Sequence, residues 1–130
     1  MRLFTLAEAN DLLAEVRPLA ERIVERKRAL DAAQAERADL LHRIAGNGGD
    51  LTPSDVSDAV QRVEREAAAI GTLVDELHGR GVQVKDLDLG LLDFPSEREG
   101  EVVLLCWRVG EDEIGYWHGV DEGYAGRKAL

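Results

Sequence analysis

The sequence predicts an α+β protein: a long antiparallel helical hairpin followed by a small antiparallel β-meander. Three observations predict it. Two long stretches repeat apolar residues at helical spacing, glycine and proline punctuate their ends, and after Gly81 the period shifts from 3.6 to extended segments. At 130 residues the chain is the usual size of one domain, with a helical part over 1–81 and a β-rich part over 82–130.

The first helix opens at Thr5-Leu6-Ala7-Glu8, which fits a capping box in which Thr5 and Glu8 satisfy each other's backbone amides. Apolar residues then recur at Leu12, Val16, Leu19, Ile23, Leu30, Ala33, Leu40 and Ile44. Pro18 lies inside that stripe. It removes one helical hydrogen bond, so a short or kinked first segment and then a long helix to about Ala45 are expected. The glycine-rich run 46–50 ends the helix.

The second helix opens with Thr52 as its cap and Pro53 at the first helical position. Val56, Val60, Val63, Ala67, Ile70, Val74 and Leu77 alternate steps of four and three, a heptad seam. Asp58, Arg62 and Glu66 are spaced four apart for ion pairs along the outer face. Gly79 and Gly81 stop the helix. Each seam is narrow, so the hairpin needs either the C-terminal part or a second copy, which would make a four-helix bundle of a homodimer.

Val82-Gln83-Val84 begins a strand that continues through Leu87 and Leu89 until Gly90 breaks it. Leu91 to Phe94 leads to Pro95, and 96–100 reads as a hydrophilic turn. Val102 to Val109 is apolar on both faces, as a central strand should be. Gly110-Glu111-Asp112 turns the chain into Ile114 to His118, completing a sheet of three or four strands, and a glycine-rich tail runs to Arg127.

Composition excludes several classes. Residues 86–127 carry eleven acidic side chains against three arginines, a net of −8 of the total −10. That field repels phosphate backbones and anionic lipids, so neither nucleic acid nor a membrane surface is expected as a partner. It suits cations or a basic protein partner. No stretch approaches the roughly 20 apolar residues that span a bilayer. Glu8 and Asp11 interrupt what a signal peptide would need, and the single cysteine forms no internal disulfide, which together point to the cytoplasm.

At GLLDFP, LCWRVGE, YWH and GYAGR, and at the opening FTLAEANDLL, the chain resembles a small prokaryotic family known as domain of unknown function 2203. The matching positions include Lys85, Asp86, Gly90, Asp93, Pro95, Cys106, Trp107, Glu111, Trp117, His118 and Arg127. The resemblance implies that a site lies in the C-terminal third and assigns it no chemistry.

Within that third the sharpest constellation is His118 with Asp86, Asp88, Asp93, Glu111 and Asp121, of which Asp86, Asp93 and Glu111 are the expected metal ligands beside His118. One imidazole and two or three carboxylates suffice to ligate zinc, manganese or iron. The alternative is a structural network in which His118 pairs with Glu111 or Asp93 while Arg127 pairs another carboxylate. Arg127, with glycines beside it, is also a candidate for capturing an anion. Trp107 and Trp117, with Tyr116 and Tyr124, either line a ligand pocket or cap a small core. Cys106, mid-strand, reads as a small buried hydrophobe, with a thiol–imidazole pair to His118 as the alternative. No spacing-specific catalytic motif is present. A non-enzymatic interaction or scaffold module is therefore the first functional expectation, and a metal-binding protein or metal-dependent hydrolase the second.

Overall fold

A computed structural model of the chain describes residues 1–47 and 51–130. Its elements are two helices, α1 (Leu6–Asn47) and α2 (Pro53–Gly79), and five strands. The strands are β1 (Gln83–Asp86), β2 (Leu91–Arg98), β3 (Glu101–Arg108), β4 (Tyr116–Gly119) and β5 (Lys128–Ala129), in one antiparallel sheet of order β1-β2-β3-β4-β5. The class is the α+β arrangement read from the sequence, with one strand more than expected. The chain divides into two compact units, one of residues 1–24 and 73–130, the other of residues 25–72.

The helix starts follow local chemistry. The Thr5 amide donates to Glu8 Oε1 (2.9 Å) and the Glu8 amide to Thr5 Oγ1 (3.1 Å), closing the capping box. Thr52 and Asp55 repeat the arrangement ahead of Pro53, at 2.9 and 3.3 Å. At the end of α2, Val82 N–H donates to the Leu77 carbonyl and Gly81 N–H to that of His78, a Schellman close with Gly81 at φ +85°. The Gly48-Gly49-Asp50 part of the expected interhelical turn lies outside the described residues.

Pro18 does not split α1, which runs unbroken from Leu6 to Asn47. Pro18 faces solvent, as does Ala14, whose carbonyl loses its partner and is left to water. On the opposite side Leu13, Val16, Ala20 and Ile23 are buried, and that packing holds the helix through the lost bond. The buried face is therefore turned slightly from the expected stripe, with Leu12 and Leu19 at its margin and Ile44 exposed. In α2 the seam is likewise rotated. Ala59, Val63, Ile70, Leu73 and Leu77 are buried, whereas Ala67 is exposed. Within residues 25–72, Arg62 pairs with Glu36 and Arg26 with Glu66, so these charges bridge the two helices instead of running along α2.

The core of the other unit joins Phe4, Leu13, Val16, Ile23, Leu73 and Leu77 to Leu92, Phe94, Leu105 and Trp107 of the sheet. In the β2–β3 register Leu92 lies opposite Trp107 and Phe94 opposite Leu105, so these four share the helix-facing side. The strand expected through Leu87 and Leu89 ends at Asp86. There the Asp86 carboxylate accepts from the amides of Asp88 and Leu89 (both 2.9 Å) and folds the chain into a turn.

The turn expected over 96–100 shrinks to Glu99 and Gly100, both at positive φ (+53° and +81°), because β2 continues through Pro95. β1 ends its pairing at Asp93, and the Pro95 carbonyl accepts instead from Phe4 N–H (2.7 Å). The missing amide of Pro95 thus faces a side of β2 where no strand needs it. Ser96 Oγ donates to the Phe4 carbonyl (2.6 Å), and the Phe4 ring meets Phe94 edge-on at 5.5 Å.

Candidate functional site

The sheet's other face carries the alternate residues. Asp93 on β2 lies opposite Cys106 on β3, and His118 on β4 lies opposite Leu104, one pair along. Asp93, Cys106 and His118 are all buried, and one potential ligand atom from each lies within 4.8 Å of the others. Three adjacent strands thus deliver three metal-ligating groups to one point. Among the described residues this is a cluster able to hold a metal ion.

Hydrogen bonds orient the group. His118 Nδ1 lies 2.8 Å from the Gly119 carbonyl, which only accepts, so Nδ1 carries a proton. That leaves Nε2 toward the cluster, 3.1 Å from Asp93 Oδ1. A backbone carbonyl on the far nitrogen is the usual device that fixes a metal-binding imidazole. Asp93 Oδ2 is buried and has no hydrogen-bond partner among the described residues. Burial raises the Asp93 pKa, against the lowering pull of His118.

Burial, and then the neighbouring Asp93 charge, push the Cys106 thiol up to about 11. A free thiol there is inert as a nucleophile at neutral pH. The raised value also links to stability. The folded state holds this proton longer than an ordinary thiol of pKa 9.0, so the contribution is intact below pH 9 and is lost as pH rises toward 11. At about 1.4 kcal/mol per unit, roughly 2 kcal/mol should disappear across that window. Urea denaturation of the metal-free protein at pH 8 and pH 11 reads it. Cys106→Ala should show a correspondingly smaller loss, and an equal loss in both proteins would refute the assignment.

The remaining expected site residues are placed differently. Glu111 does not reach His118. It forms a bidentate pair with Arg127 (3.0 and 2.9 Å) and accepts from the Arg108 amide (2.8 Å). Arg127 lies over the rings of Tyr116 (3.9 Å) and Tyr124 (4.4 Å), so the guanidinium proposed for an anion is engaged by Glu111 and by both rings. Trp107 is buried on the helix-facing side with its indole N–H on the Glu111 carbonyl (3.0 Å). Trp117 lies against the margin of the same core, under Arg98 and Lys128. Neither tryptophan lines the cavity beside the cluster.

That cavity, of about 350 Å³, has Asp93 and His118 in its wall, with Lys85, Asp86, Leu91 and Tyr124 around them. Asp86 is thus beside the cluster without joining it. Cys106, set aside by the sequence reading as a hydrophobe, is its third member. The signal that finds it is the Glu99-Gly100 turn: Asp93 lies six residues before it and Cys106 six after, which makes them partners.

A family model described as an uncharacterized conserved protein (DUF2203) matches residues 2–130. The chain belongs to the DUF2203 family. No curated protein and no solved structure matches it. The family has no established function, so what this DUF2203 member does must be argued from its own residues. Among the described residues no helix is long and apolar enough to cross a membrane.

Proposed function

We propose that this DUF2203 protein binds a divalent metal ion through Asp93, Cys106 and His118. The observation that carries the reading is Asp93 Oδ2, a buried carboxylate oxygen that accepts no hydrogen bond among the described residues, beside a thiol and an imidazole. Leaving such a group unsatisfied costs about 1–3 kcal/mol or more, and a cation at that point removes the cost. Of zinc, manganese and iron, a set with sulfur, nitrogen and oxygen donors favours zinc, because manganese prefers oxygen ligands. Three protein ligands leave a fourth position open, the arrangement of catalytic zinc sites, where bound water becomes nucleophilic near neutral pH. A metal-dependent hydrolase is the finer reading. A reducing cytoplasm, where we place the protein, would keep Cys106 available as a ligand.

The test is elemental analysis of untagged protein purified without chelator, beside His118→Ala. Near one equivalent of zinc is expected in the wild type and none in a still-folded variant. Metal-free wild type that also gains no thermal stability from added zinc, manganese or iron would sink the reading. The interaction module would then stand in its place, with homodimerisation and a basic partner as its content. Exposed Leu41 and Ile44 on α1 support the homodimer, and light scattering on the same preparations reads it.

A further inference from the structure

The β1–β2 pairing contains one irregularity, and it lies at the cavity. Gln83 pairs with Asp93 and Val84 with Leu92, but Leu91 then pairs with Asp86, so Lys85 is the extra residue of a bulge. Regular alternation would place Asp86 on the same side as Val84, toward the helical core. With the bulge, both Lys85 and Asp86 line the cavity beside Asp93 and His118. The bulge therefore adds Asp86 to a wall where regular alternation already places Lys85.

Lys85 makes no hydrogen bond or ion pair among the described residues, although its charge is felt at Asp93. The other carboxylates at the cavity edge have partners of their own. Asp86 is held by the amides of Asp88 and Leu89, and Glu122 is paired with Lys128 at 2.8 Å. Leu89, Leu91, Leu104 and Val120 supply an apolar wall. With Cys106 and Asp93 as anions, a bound divalent ion is neutralised. Lys85 is then the cation of the cavity wall, with no ion-pair partner among the described residues, and the charge of Asp86 opposes a second negative charge on the guest.

We propose that this cavity binds a small organic carboxylate bearing a single negative charge. The carboxylate meets the Lys85 ammonium at the cavity rim, and a short apolar chain lies along Leu89 and Leu91. The inference rests on the metal reading for the ion at the cavity wall, and the bound molecule approaches its open position. The cavity volume is at the small end for ligand pockets, which limits the guest to a few carbon atoms. A doubly charged phosphate meets the same lysine but also Asp86, and it has nothing to place against the leucines.

Cobalt(II)-loaded full-length protein separates the two claims, because its visible spectrum reports metal occupancy before any titrant is added. Wild type, Lys85→Met and Lys85→Arg are each loaded, then titrated with butyrate and with inorganic phosphate. The expected result is the same cobalt spectrum in all three. Butyrate should perturb it in wild type and Lys85→Arg, with at least a tenfold weaker response in Lys85→Met and a weaker response to phosphate throughout. A normal cobalt spectrum that butyrate leaves unchanged, or changes equally in Lys85→Met, overturns the carboxylate site and leaves the metal centre intact. Phosphate acting as strongly as butyrate overturns the ligand class. Absence of any cobalt spectrum in wild type overturns the metal centre and this inference together.

Discussion

Cys106→Ala is expected to lower zinc affinity by more than the roughly 10–100-fold that outer-shell partners of a metal contribute, while the protein stays folded. The residue lies in the middle of the central strand and is fully buried, so the truncation costs about 1 kcal/mol of packing. Loss of the sulfur ligand costs far more. At a zinc concentration 1,000 times its dissociation constant, binding stabilises the native state by about 4 kcal/mol. For a chain of this length that raises the wild-type melting temperature by roughly 15 °C, and the variant should gain little or nothing. Proton linkage supplies a second readout. The thiol, at a pKa of about 11, is protonated at neutral pH and must lose its proton to bind the ion. It alone makes affinity rise about tenfold per pH unit, a dependence that Cys106→Ala removes. Chelator competition at pH 6.5, 7.5 and 8.5 measures both. Equal affinity and equal slope in the two proteins would return Cys106 to the role of a core hydrophobe.

That residue also marks where sequence reasoning stopped. Helix starts and stops were legible because each is local. Thr5 finds Glu8 three residues on, Thr52 finds Asp55, and Gly81 supplies the left-handed conformation that closes α2. The phase of the buried faces was only partly legible. Choosing Leu73 over Ala67 depends on what lies opposite, and one chain's periodicity does not contain that.

The sheet was misread at one point, with consequences for the site. Pro95 reads as the end of a strand, because a proline inside a sheet forfeits a hydrogen bond. The bond in question lies on the side where β1 has ended and Phe4 approaches, more than ninety residues away in sequence. Had β2 been carried through Pro95 to the Glu99-Gly100 turn, its register would have set Asp93 opposite Cys106. Asp93 and His118 were read correctly as neighbours on chemical grounds alone. Glu111 is not a neighbour of that pair: it is taken by Arg127, as in the alternative network in which Arg127 holds a carboxylate other than the partner of His118. The Lys85 bulge carries no sequence signal either. It is a property of the pairing, and it adds Asp86 to the cavity wall beside Lys85.

Gly90→Ala should be the most damaging small substitution in the turn leading into the site. Gly90 adopts φ +62°, which costs an L-residue about 1 kcal/mol. A Cβ there would also lie 2.4 Å from Val109 Cγ2 and 2.9 Å from Val24 Cγ2. Both are branched side chains with little freedom to move aside, so overpacking adds roughly 1–3 kcal/mol. The expected total is about 3 kcal/mol, a large share of the roughly 5–15 kcal/mol that holds a domain together. Gly100→Ala separates the two terms. Gly100 also has positive φ, at +81°, but nothing lies within 4 Å of its added Cβ, so only the conformational cost of about 1 kcal/mol applies. Urea denaturation of the two variants beside wild type should therefore differ by about 2 kcal/mol, and equal losses would refute the close approach at Gly90. The effect reaches the site through the backbone. The Gly90 carbonyl accepts from Val109 N–H (3.2 Å), and its neighbours Leu89 and Leu91 both belong to the apolar wall of the cavity, with Leu91 where the β1 bulge regains register. Displacing that turn would move Lys85 relative to Asp93, so Gly90→Ala should weaken butyrate binding in whatever fraction of the protein remains folded, with zinc content unchanged.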